Sequence, residues 1–244
     1  MRLCAVVPSY RHYKALPDLL ETLRARCERI FLVDDGNEDP ARTAIAALHA
    51  PDHGVVVIRL QVNSGKGAAV VAGLQAAIGQ GFTHALQIDA DGQHELRDVD
   101  RFLTACAQNP SALICGKAVY DGSVPKARKI GRYVTHVWVW IETMSLDISD
   151  SMCGFRIYPL KALAPVLASA RIGRRMDFDT EIAVRMHWRG VPVVNVPTRV
   201  VYPSGNVSNF RMLQDNVLIS WMHTRLAVQA PFRLVLKAFR GVKV

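Results

Sequence analysis

The chain has 244 residues, half of them hydrophobic, and a formal net charge of +9 at pH 7. That length and composition bury a sizeable core and exclude a disordered chain, while the charge calls for an anionic partner: nucleic acid, an acidic membrane surface or phosphorylated small molecules. Five cysteines, an odd number with no CxxC pair, suggest neither a disulfide framework nor a zinc site and are expected as buried reduced thiols.

In chain order, residues 3–7 form a continuous apolar run before Pro8, predicting a buried strand. Apolar positions 16, 19, 20 and 23 make a helical stripe. Residues 30–33 predict a second buried strand ended by Asp34-Asp35-Gly36, a short helix follows over 41–48, and 55–60 predicts a third strand. Residues 66–78 are Ala-rich and helical, 85–88 predict a strand ending at Asp89, 96–107 a helix, and 112–115 another strand. The second half is less regular: a helix over 132–144 with Trp138 and Trp140, a short strand over 154–158, a helix over 178–188, an extended stretch over 191–202 and a mobile loop over 203–210. The apolar run at the N-terminus is too short for a signal peptide, and no stretch reaches 18 consecutive apolar residues. A cytoplasmic protein, or one attached to a membrane from that side, is therefore expected.

Repeated βα units with wholly apolar strands predict an α/β fold with a mostly parallel sheet covered by helices. Ligands in such sheets bind outside the carboxyl ends of the strands. Pro8-Ser9-Tyr10, Asp34-Asp35-Gly36 and Asp89-Ala90-Asp91 all fall there. Asp89 and Asp91, two residues apart at a strand end, can both reach one divalent cation, and Gln93 adds a neutral oxygen. A polar turn with a helix cap is the other reading of this segment. A calcium-binding helix–loop–helix is excluded, because His94 stands where that loop needs Gly and Asp100 where it needs Glu. The Asp34-Asp35 pair is equally a nucleoside-binding carboxylate or a turn. Asn63-Ser64-Gly65-Lys66-Gly67 opens a helix and suits a phosphate, but it is neither a Walker A loop nor a dinucleotide fingerprint. Lys126, Arg128, Lys129 and Arg132 form a basic cluster, read either as a site for an acceptor phosphate or as a solvated helix start.

Taken in order, Val7-Pro8-Ser9-Tyr10, Val33-Asp34-Asp35-Gly36, Asn63-Ser64-Gly65-Lys66-Gly67, Asp89-Ala90-Asp91-Gly92-Gln93-His94, Asp150-Ser151-Met152-Cys153-Gly154-Phe155-Arg156 and Phe178-Asp179-Thr180-Glu181 resemble family 2 glycosyltransferases of the GT-A fold. The branch they look most like contains the dolichol- and polyprenyl-phosphate mannosyl- and glucosyltransferases. The resemblance implies a Rossmann-like catalytic domain over 1–210, with a nucleotide-sugar half (1–120) and an acceptor half with a closing loop (121–210), followed by a C-terminal amphipathic segment (211–244). It implies an inverting transfer from a GDP- or UDP-sugar to a lipid-linked acceptor, with Mg²⁺ or Mn²⁺. Pro8, Tyr10, Asp34, Asp35, Lys66 and Asp89 would then bind the donor, with Arg199 and Ser204 from the closing loop. Asp89, Asp91 and Gln93 would hold the metal. Lys117, Arg128, Arg132 and Arg156 would face the acceptor, and Asp89, Asp150, Asp179 and Glu181 would be the catalytic carboxylates. Asp179 and Glu181 are the candidate bases if the acceptor is a hydroxyl; an acceptor phosphate needs none. The chain departs from the family at Arg11-His12, where Asn-Glu is usual, and at Asn209, where the closing loop usually carries Lys or His. A sugar-1-phosphate nucleotidyltransferase and a non-catalytic sugar-nucleotide binder stay open; nucleic-acid binding would leave the acidic strand ends unexplained.

After Asp215 the chain has no Asp or Glu but carries Arg225, Arg233, Lys237, Arg240 and Lys243. A helix there would line up Phe232, Val235, Leu236 and Phe239 beside a basic face, which predicts contact with an anionic membrane surface or, alternatively, packing on the domain or on a second subunit.

Overall fold

The computed structural model describes residues 1–120, 126–201 and 209–239, of which 126–129 and 234–239 are described by their backbone alone. Among the described residues seven strands form one sheet: β1 Leu3–Ser9, β2 Arg29–Asp35, β3 Val55–Leu60, β4 His84–Gln87, β5 Leu113–Tyr120, β6 Arg156–Pro159 and β7 Val193–Val200. Their order is β3-β2-β1-β4-β6-β5-β7, and β6 alone is antiparallel to its neighbours. The helices are α1 Leu16–Arg24, α2 Ala41–Ala46, α3 Lys66–Gly79, α4 Val99–Gln108, α5 Lys126–Thr143, α6 Leu160–Ser169, α7 Phe178–Trp188 and α8 Met212–Phe239.

Successive side chains of a strand point to opposite faces, and here both faces are roofed by helices. Leu3, Ala5 and Val7 of β1 join Ile30 and Leu32 of β2 in a core against Leu19, Leu20 and Leu23 of α1 and Phe102 of α4. Cys4 and Val6 point the other way, into a second core with Phe31, Leu74 of α3, Leu163 of α6, Ile182 of α7 and Leu226 of α8. All five cysteines are buried and free.

The strand expected over 112–115 continues to Tyr120 and pairs with β7 along its whole length. Beyond Gly116 it alternates exposed and half-buried residues, so the continuous apolar signal ends before the strand does. Helix α6 had no clear signature, because Pro165 lies inside it and removes one backbone donor. Three features place the ligand edge. The carboxyl ends of β1, β2 and β4 share one side of the sheet. Antiparallel β6 brings its amino end there, with Arg156 opposite Gln87. Helices α3 and α7 also start there, and the hydrogen bond from Ala68 N to Arg174 O ties α3 to the segment that leads into α7.

Candidate active site

At the end of β2 the two aspartates hold backbone in place. The Asp35 carboxylate accepts from Ser64 N at 2.7 Å, Gly65 N at 3.0 Å and Asn63 Nδ2 at 2.9 Å. Burial pushes its pKa up, opposed by those backbone donors. Asp34 accepts from Asn37 N at 2.8 Å, Asn37 Nδ2 at 2.7 Å and the Arg59 guanidinium. Asn37 in turn donates to Ser9 O and accepts from Arg11 N, tying the end of β1 to that of β2. Both aspartates, expected at the nucleoside, are almost wholly buried, and they shape the loops around the edge. Gly65, at φ +99°, makes the turn into α3 in a conformation that side chains rarely adopt.

The centre of the edge is a chain of charges and hydrogen bonds. Lys66 Nζ, at the first position of α3, lies 2.8 Å from Asp89 Oδ2 and 2.7 Å from Asp179 Oδ2. Asp179 Oδ1 accepts from Gln87 Nε2 at 2.9 Å, and Gln87 Oε1 accepts from Tyr158 OH at 2.8 Å. Burial opposes a charged Lys66, but Asp179 and Asp89 together raise its pKa above the usual lysine range. Burial likewise opposes a charged Asp89, yet Lys66 and His94 hold its carboxyl well below the usual range. Gly154, just before β6, closes over this pair: a Cβ there would sit 2.5 Å from both Lys66 Nζ and Asp89 Oδ2. The backbone leading into β6 thus lies directly on the ion pair.

Asp89 Oδ1 is buried without a hydrogen-bond partner. Asp91 follows on the same turn, its pKa raised by burial and then by the charge of Asp89, and its Oδ1 accepts from Gln93 N at 3.0 Å. Gln93 O accepts from Val201 N, and Arg199 O from Glu95 N, so this turn is stapled to the end of β7. Among the described residues no group of three or more His, Cys, Asp or Glu is placed to hold a metal by itself. The donor set fits a hard cation that takes two carboxylates here and its other oxygens from a ligand.

In the half expected to take the acceptor, Asp150 is almost fully buried. It accepts from Arg132 Nη2 at 2.7 Å and from the backbone of Ala118, Met152 and Cys153. Burial opposes its charge, but Arg132, then His136, lower its pKa. Lys117 stands exposed on β5. Two expected site residues are placed elsewhere. Arg156 is 0% exposed, and its guanidinium donates to the carbonyls of Cys153, Ser151 and Asp179, so it braces the floor beneath the site and faces no acceptor. Glu181 is also 0% exposed, bound by Arg185 at 2.7 Å, Arg225 at 2.8 Å and Gly173 N at 2.8 Å. One helical turn carries the carboxylates of Asp179 and Glu181 to different surroundings, and only Asp179 reaches the edge.

Pro8 is buried and Tyr10 half-buried at the end of β1. Asn209 Nδ2 donates to Tyr10 O at 3.0 Å, bringing the end of the expected closing loop onto the donor half. Arg199 is exposed, its backbone N donating to Asp98. Ser204, most of the loop 203–210 and the side chain of Arg128 lie outside the described residues. Gln87, Tyr158 and Asn37 were not singled out from the sequence; Gln87 carried a signal, as the one polar residue inside the apolar run 85–88. Helix α8 packs on the domain through Met222, Leu226 and Ala230, while Phe232 is exposed. The side chains of Val235, Leu236, Lys237 and Phe239 lie outside the description.

The sequence profile of glycosyl transferase family 2 matches residues 4–162. A dolichyl-phosphate beta-glucosyltransferase of Dictyostelium discoideum is 24% identical over 91% of this chain and 74% of its own length. An undecaprenyl-phosphate mannosyltransferase of Micrococcus luteus is 25% identical over 82% of this chain and 84% of its own. Among solved structures, glucosyl-3-phosphoglycerate synthase from Mycobacterium tuberculosis, crystallised with Mn²⁺, UDP-glucose and phosphoglyceric acid, superposes with a TM-score of 0.61 at 12% identity, covering 93% of this chain and 79% of that one.

Proposed function

The chain belongs to glycosyl transferase family 2 and is a glycosyltransferase of the GT-A fold, and from that membership we propose that it transfers a sugar, with inversion, from a GDP- or UDP-sugar to a polyprenyl-phosphate-like acceptor. The observation that carries the acceptor class is the state of the carboxylates in the acceptor half. Asp150 is bound by Arg132, Asp179 by Lys66 and Glu181 by Arg185 and Arg225. Each is already engaged by a cation at hydrogen-bond distance, which occupies the oxygens that would have to approach an acceptor hydroxyl. An acceptor phosphate is already a nucleophile and asks for cations instead, and Lys117, exposed on β5, would offer one. The names of the two relatives point the same way.

On the donor side, Asp89 and Asp91, with Gln93, would hold Mg²⁺ or Mn²⁺, which when bound neutralises charge on the leaving diphosphate. The partnerless Asp89 Oδ1 is the atom of this structure that suits such an ion. Lys66 fixes the Asp89 carboxylate from below, Gly154 keeps the space above it small, and Tyr10 with Asn209 borders the nucleoside side. The test is a screen of GDP- and UDP-sugars for metal-dependent transfer to a short-chain polyprenyl phosphate, with a simple sugar acceptor in parallel. Transfer to the phosphate alone is the expected outcome; transfer to the hydroxyl acceptor alone would overturn the acceptor class.

A further inference from the structure

The ligand edge carries one strained backbone position. Arg11, two residues beyond β1, has φ +64°, a left-handed conformation that residues with a β-carbon rarely adopt. Strain of this kind persists only where the surroundings over-determine it, and it gathers at ligand sites. Arg11 N donates to Asn37 Oδ1 at 2.7 Å. Asn37 is buried, and its Nδ2 donates to Ser9 O at 2.9 Å and to Asp34 Oδ1 at 2.7 Å. The backbone of Arg11 is thus pinned above the ends of β1 and β2, while its side chain is exposed. The guanidinium lies 5.0 Å from the centre of the Tyr10 ring, a cation–π contact that narrows where it can point. Among the described residues no carboxylate forms an ion pair with it.

We propose that Arg11 reads the nucleobase of the donor and selects guanine over uracil; this rests on the proposed use of a nucleotide-sugar. With the diphosphate at Asp89 and Asp91, beyond the end of β4, Gly154 closes one side of the site, and the nucleoside extends over the neighbouring ends of β1 and β2. The groups placed there favour a base rich in acceptors. Asp34 and Asp35 are 2% and 1% exposed. Their oxygens are taken by Asn37 and Arg59 at Asp34, and by Asn63 Nδ2, Ser64 N and Gly65 N at Asp35. Neither carboxylate therefore offers an acceptor to a base. Arg11 offers a planar fork of N–H donors. Guanine presents N7 and O6 as adjacent acceptors, which such a fork meets with two parallel bonds. On the corresponding edge uracil presents O4 alone, and its N3–H asks for an acceptor that the buried Asp35 does not supply. Adenine carries an amino donor in place of O6, which meets the fork donor to donor.

Titration calorimetry of the full chain with GDP, inosine diphosphate, ADP and UDP, each with Mn²⁺, tests the assignment. GDP and inosine diphosphate, which share N7 and O6, should bind alike and about tenfold or more tightly than ADP or UDP. Arg11→Lys keeps the charge without the fork. Arg11→Gly removes the side chain at a φ of +64° that suits glycine, so this variant should keep the thermal unfolding midpoint. In both variants GDP should weaken about tenfold while UDP changes by less than about threefold. ADP binding as tightly as GDP would mark stacking of any purine and overturn the proposal. So would an equal loss for every nucleotide in Arg11→Lys, which marks a contact to phosphate. Binding of all four nucleotides with one affinity in the wild type would remove Arg11 as the reader and leave the nucleotide donor standing. Binding of none would remove the donor class itself, and this proposal with it.

Discussion

Lys66 and Asp179 are 113 residues apart in sequence, yet Lys66 Nζ lies 2.7 Å from Asp179 Oδ2 while the same ammonium holds Asp89 at 2.8 Å. Removing the cation would leave the buried Asp179 carboxylate and the partly buried Asp89 carboxylate without their shared counter-charge. Lys66→Met is expected to destabilise the fold by about 3–5 kcal/mol, the usual effect of breaking a buried pair. Lys66→Met combined with Asp179→Asn should recover part of that stability without recovering transfer. Urea unfolding and a transfer assay on the single and double variants check this; a double variant as unstable as the single would show that the charge pair is not the cause.

Glu181 and Asp179 should separate cleanly. Glu181→Gln loses charge-assisted bonds to Arg185 and Arg225 and is expected to lower stability by about 2–3 kcal/mol, with kcat of the folded enzyme within about threefold of wild type, a change under 1 kcal/mol in barrier. Asp179→Asn should lower kcat far more than Glu181→Gln does. Steady-state kinetics at a temperature where both variants are folded distinguish them, and a large kcat loss in Glu181→Gln would return that residue to the chemistry.

Asp91→Ala removes a carboxylate beside the partnerless Asp89 Oδ1. Activity should fall by about a hundredfold or more, on the order of 3 kcal/mol of lost charge stabilisation, while the unfolding midpoint stays close to wild type. Titration calorimetry with GDP or UDP and Mn²⁺ should show metal-dependent binding in the wild type and its loss in the variant. Binding that needs no metal in the wild type would remove the assignment.

The Asp150–Arg132 contact gives a pH signature. Arg132 and His136 hold the Asp150 pKa below its ordinary value of 3.8 despite burial. The folded state therefore favours the ionised form. Its contribution is complete above the unfolded pKa and is lost as pH falls through the lower folded one. The stability difference between wild type and Asp150→Asn should be constant near neutrality and shrink below about pH 4. Urea unfolding of both proteins across that range measures it; a difference independent of pH would mean that Asp150 acts through hydrogen bonds alone.

What the sequence determined by itself was everything that depends on neighbours along the chain. Apolar runs with period two or none, ended by Asp34-Asp35 and Asp89, were enough to place β1, β2 and β4 and the edge where they end, because a strand buried on both faces must be apolar throughout. The same local logic failed at α6, where Pro165 masks the helix, and along β5 beyond Gly116, where the strand leaves the core. Which carboxylates face a ligand was decided only by the tertiary structure. Asp179 and Glu181 are two residues apart on α7, and nothing local tells them apart. Antiparallel β6 and the start of α3 put Lys66 against Asp179, while α8 puts Arg225 against Glu181. The physical reason is that a charge inside a protein is kept by its partners, and those partners come from distant segments that only the packed chain brings within reach.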